Sequence, residues 1–119
     1  MKFDNKNEWE KYLLGKFTNC VSGGYAVVKF NGKTELLYFS KHTYKGEPWL
    51  LEAPNFLHKI NVEGKNTKDY EEHGYIIRNN YAYEIDTPQT SPFLPEELEI
   101  LEVIGESENK ALDYLLTQA

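Results

Sequence analysis

The sequence predicts an α+β protein, mainly β, with a short helix at each end, and three observations lead there. Apolar residues recur at helical spacing only near the two ends of the 119-residue chain. Between them, β-patterned runs flank Asn31-Gly32 and Asn79-Asn80, the pairs that turn tight hairpins. Glycine and proline punctuate the rest into short strands rather than long helices.

Trp9, Tyr12, Leu13 and Phe17 share one helical stripe, so residues 7–17 are expected to form an amphipathic helix capped by Asn5 or Asn7 and ended by Gly15. Strand-like chain follows from Cys20 to Phe30. Within it, Gly23-Gly24 is expected to bulge or bend, as where a strand turns a corner. Cys20 is the single cysteine, so it forms no internal disulfide and is expected to be a small buried apolar side chain.

The Asn31-Gly32 turn sends the chain back from Lys33 to about Lys41, and a two-residue turn sets the register. Tyr25 then faces Tyr38, Val27 faces Leu36 and Lys29 faces Thr34, all on one side of the ribbon. His42 to Pro48 is expected to be a loop. A third strand covers Trp49–Glu52 and Phe56–Val62, interrupted at Ala53-Pro54 because proline cannot donate to a ladder.

Glu63 to Asn66 reads as a turn, and Thr67 to His73 as one or two helical turns before Gly74. The second hairpin spans Tyr75 to Ile85, with Arg78 facing Tyr81 and Ile76 facing Tyr83. Three prolines forbid regular structure from Asp86 to Pro95. A helical turn at Pro95 then leads into a strand ending near Gly105, and Ser107 caps a helix through Gln118 with Ala111, Leu112, Leu115 and Leu116 as its stripe.

These elements make one domain, residues 1–119, large enough to bury a core without disulfides or metal. No apolar run approaches the roughly 20 residues that span a bilayer, and the first residues lack a signal peptide's apolar stretch, so a cytoplasmic protein with no membrane partner is expected. His42, His58 and His73 have neither i, i+4 spacing nor a cysteine pair nearby. His73 with Glu71 and Glu72 makes a poor ligand set, because adjacent residues seldom converge. Ser22 lacks the G-x-S-x-G elbow, and no phosphate-binding glycine loop is present. The sequence therefore predicts no catalytic residue, no metal and no cofactor.

Net charge is −6, unevenly spread. Residues 1–78 carry 12 basic and 10 acidic side chains, whereas residues 79–119 carry 1 and 9. Such a chain suits binding an anion with one face while offering an acidic face to a basic partner, although acids also serve solubility alone.

Rings beside cations on an exposed sheet suit single-stranded nucleic acid, whose bases stack on aromatic faces at about 1–3 kcal/mol each. The candidate stacking residues are Tyr25, Tyr38, Tyr81 and Tyr83, with Tyr44 and Trp49 in or beside the loop after the second strand. Lys29, Lys41, Lys45, Lys59 and Arg78 are the candidate phosphate contacts, Arg78 adding a cation–π contact. Against this stands the preference of tyrosine for strands, where cross-strand pairs stabilise hairpins with no ligand.

The order strand, strand, strand, short helix, strand, strand, with a kinked first strand, is that of an OB-like five-stranded barrel. In length, element order and aromatic content the chain resembles the small OB-fold single-stranded DNA-binding proteins of phages infecting lactic-acid bacteria, over about residues 17–104. The resemblance implies a replication or recombination accessory protein that coats single-stranded DNA in the host cytoplasm without reading sequence. The acidic last third would then meet replication or recombination proteins, and the leucine stripe offers a route to a homo-oligomer. A rival expectation is an acidic interaction protein that inhibits a host enzyme by imitating nucleic acid. Another is a hydrolase or nuclease with scattered catalytic residues.

Overall fold

The computed structural model describes residues 1–86 and 95–117, without the side chains of residues 44 and 47–54. Its elements are β1 (Lys2–Phe3), α1 (Lys6–Lys16), β2 (Gly23–Phe30), β3 (Lys33–Tyr44), β4 (Glu47–Pro54), β5 (Phe56–Asn61), α2 (Lys68–Glu72), β6 (Ile76–Arg78), β7 (Tyr81–Asp86), β8 (Leu98–Gly105) and α3 (Glu108–Thr117). This is a mainly-β α+β architecture. The strands form two antiparallel sheets, one in the order β1-β8-β2-β3-β4 and one in the order β5-β7-β6.

Both hairpin registers are those the turn residues dictate. Tyr25 pairs with Tyr38, Val27 with Leu36 and Lys29 with Thr34, while Arg78 pairs with Tyr81 and Ile76 with Tyr83. Asn31 and Gly32 both take positive φ, at 49° and 76°, as a tight turn matched to strand twist requires.

No closed barrel is found among the described strands. The chain leaves the first sheet at Asn55, whose Nδ2 donates to the Leu36 carbonyl at 2.6 Å just where β4 passes into β5. Beyond it, β5 pairs with β7 in the second sheet instead of extending the first. The expected 42–48 loop is also different: β3 and β4 stay paired out to Tyr44 and Glu47, turning at Lys45-Gly46, so residues 41–50 project beyond the end of β2 as a two-stranded ribbon. The bulges lie on β8 rather than at Gly23-Gly24, where its register with β2 shifts twice. The helical turn expected at Pro95 is instead non-helical chain entering β8, and the proline-rich residues 87–94 lie outside the described residues.

The larger sheet is covered on both faces. On one, Trp9, Leu13 and Phe17 from α1 pack on Ala26, Val28, Leu37, Phe39, Leu98 and Ile100. Asn5 caps that helix by accepting the Glu8 N–H at 2.9 Å, and the helix runs through Gly15 to Lys16 because Phe17 continues its buried stripe. On the other face, Tyr25, Val27 and Leu36 meet Tyr83 and Ile85 of the second sheet and Ala111 and Leu112 of α3. Cys20, half-buried, packs at the edge of the α1 core.

Gly23 opens β2 with φ 135°, and a Cβ there would lie 1.9 Å from the Phe39 carbonyl oxygen. Gly32 has open space around it, so alanine there meets only the left-handed backbone cost of about 1–2 kcal/mol. Urea denaturation is expected to place the Gly32→Ala loss in that range and the Gly23→Ala loss clearly above it.

Candidate interaction site

The two ringed faces do not form a bare platform; they meet each other. Tyr25 is 4% exposed and Tyr83 is 8% exposed, and Tyr38 and Tyr81 pack half-buried around the same cluster. The Tyr25 and Tyr38 rings sit edge-on with centroids 5.0 Å apart, and Tyr81 and Tyr83 are 6.1 Å apart. The expectation of four exposed stacking rings is therefore corrected. Alternation assigns these side chains to a common face, and α3 with the second sheet covers that face. A signal was present in β2 itself, where Gly-Gly-Tyr-Ala-Val-Val offers no polar position on either side and every residue is buried.

The candidate cations are distributed differently. Lys41 Nζ donates to the Phe17 and Cys20 carbonyls, each at 3.0 Å, closing the C-terminal end of α1. Arg78 grips α3, donating through Nη1 to Asp113 Oδ1 and through Nη2 to Asn109 Oδ1 at 3.2 Å. Lys59 Nζ lies 4.1 Å from the Tyr81 ring centroid, a cation–π contact inside the second sheet. Lys29 and Lys45 are exposed, Lys29 beside Glu99 in the β2–β8 ladder and Lys45 in the ribbon turn. Tyr44 and Trp49 stand in the ribbon strands, and their side chains lie outside the described residues.

Along β8 and α3 the outward charge is mainly acidic, with Lys110 as the one exposed base among the described residues there. Glu96, Glu97, Glu102, Glu106, Glu108 and Asp113 are exposed along β8 and α3. Glu102 and Asp113 line a cleft of about 420 Å³ between β8 and α3, together with Lys110 and Tyr114. Glu106 and Glu108 line a second, of about 350 Å³, with Ser22, Tyr25, Tyr38 and Ile85. Reading the acidic third as a charge total missed the individual roles of Asn109 and Asp113. Their i, i+4 spacing on the final helix is the sequence feature that puts both within reach of one arginine.

Burial pushes the Tyr38 phenol above the ordinary tyrosine value; its hydrogen bond with Ser22 pulls the other way, and Cys20, Glu106 and Glu108 add to the rise. Among the described residues no three His, Cys, Asp or Glu side chains group to hold a metal, and no helix is long and apolar enough to cross a membrane.

Lys41→Met strips two carbonyls of a charged donor and is expected to cost about 1.5–3 kcal/mol in urea denaturation. The Arg78–Asp113 pair, with side chains 31% and 60% exposed, is expected to show a coupling of only about 0.2–1 kcal/mol in a double-mutant cycle, shrinking as salt is added. For Tyr38 the folded chain holds its proton to higher pH than the unfolded chain, so the associated stability is complete below the ordinary tyrosine value and is lost as pH rises through the folded one. Stability measured at successive alkaline pH values is expected to fall there, with Tyr38→Phe flattening the fall. No family model matches this chain, and no curated protein or solved structure matches it either.

Proposed function

We propose that this chain is an interaction protein that presents the acidic surface of β8 and α3 to a basic partner. The observation that carries this reading is the fate of the charges: Arg78 and Lys41 are engaged within the fold, while Glu102, Glu106 and Glu108 remain exposed. Lys110 is the only basic side chain from residue 79 to the end. Carboxylates gathered on one strand and the helix that follows repel one another, so they cost stability in the free protein and favour a cationic surface in the complex. A partner that binds nucleic acid has such a surface, and occupying it would inhibit that partner by imitation.

A second reading keeps single-stranded DNA as the ligand and moves it to the β3–β4 ribbon. It draws on the projection of residues 41–50, with Lys45 at the turn and His42 paired with Trp49. The β2-β3-β4 meander supports an OB-like derivation for this reading, with the second sheet as a departure from it.

Fluorescence anisotropy with labelled oligo-lysine and labelled oligo-dT at low and moderate salt separates the two. Oligo-lysine is expected to bind with strong salt dependence, and the combined Glu102→Gln, Glu106→Gln and Glu108→Gln variant to weaken it roughly tenfold. Salt-sensitive oligo-dT binding lost in Lys45→Glu, with oligo-lysine ignored, would overturn the acidic reading in favour of the ribbon.

A further inference from the structure

We propose that the cleft between the start of β2 and the start of α3 receives a single lysine side chain of the basic partner. This rests on the acidic-surface reading and gives it a point of specificity. Four parts of the chain converge on the cleft: Ser22 and Tyr25 at the start of β2, Tyr38 on β3, Ile85 on β7, and Glu106 and Glu108 where β8 passes into α3. Its volume of about 350 Å³ exceeds what one extended side chain needs, and among the described residues no lysine or arginine lines it.

The walls and the rim differ in character. Half-buried Tyr38, with buried Tyr25 set edge-on to it at 64° and Ile85 behind, gives the cleft a small apolar wall for part of a four-carbon stem. The carboxylates of Glu106 and Glu108 supply acceptors for the ammonium. Glu106 Oε2 already accepts the Val21 N–H at 3.3 Å, which ties that carboxylate to the segment before β2. The Tyr38 phenol reports the same environment from inside, since both glutamates resist its ionisation in addition to its burial. A negative field over an aromatic wall selects a cation over a neutral group, and two carboxylates at the rim suit the compact, three-donor ammonium of lysine.

The test is an NMR titration of the full chain with Nα-acetyl-lysine amide, against the same compound acetylated on Nε. Saturable movement of the Tyr25 and Tyr38 ring signals and the Ile85 methyl signals is expected with the charged compound alone. Glu108→Gln, an exposed substitution, is expected to weaken that binding about three- to fivefold. Equal movement with both compounds, movement confined to β8 and α3 outside the cleft, or binding unchanged in Glu108→Gln would overturn the proposal. The two readings fail separately. Oligo-lysine binding without cleft signals leaves the surface and removes the lysine site. Cleft binding of the charged compound without salt-dependent oligo-lysine binding keeps the site and removes the surface.

Discussion

The structure depends on the larger sheet being buried on both faces. Trp9, Leu13 and Phe17 close one side, and the second sheet with α3 closes the other around Tyr25, Val27 and Leu36. A single apolar face would have left β2 half-solvated, with its tyrosines free to stack on a ligand. Two apolar faces commit it to the centre of a three-layer arrangement, where aromatic area stabilises by leaving water.

That commitment determines what the polar side chains do. Covering the ringed face needs a helix held against it; burial of Ala111 and Leu112 holds α3 there, and Arg78 adds a polar tie by reaching Asp113 and Asn109. On the opposite side, Lys41 donates to the carbonyl of Phe17, the C-cap of α1, and to that of Cys20 in the turn that follows, near the end where the helix dipole favours a cation. Two of the cations that resemble a phosphate track in the linear sequence, Lys41 and Arg78, are thus ties within the fold. With those two engaged, the surface of β8 and α3 keeps the carboxylates of Glu102, Glu106 and Glu108 outward, the feature on which the proposed cation recognition rests.

The hairpins were legible because their causes are local. Asn31-Gly32 accepts two positive φ angles, and the turn length alone then pairs Tyr25 with Tyr38 across the strands. The helical stripes at Trp9, Leu13 and Phe17 and at Ala111 and Leu112 were legible for the same reason, since their spacing follows from the helix period. The departure of β5 into its own sheet was not, because a strand's sequence does not name the neighbour it joins. Nor was the β3–β4 ribbon, whose Lys45-Gly46 turn lacks the asparagine that marks the other hairpins.

The sequence by itself determined which residues share a face, where the Asn31-Gly32 and Asn79-Asn80 turns lie and how unevenly the charge is spread. Only the tertiary structure decided which faces see water. Periodicity is a property of one segment, whereas exposure depends on what packs against it from residues distant in the chain. Tyr83 and Leu112 lie far along the chain from Tyr25, yet their packing turns a face that alternation left open into interior.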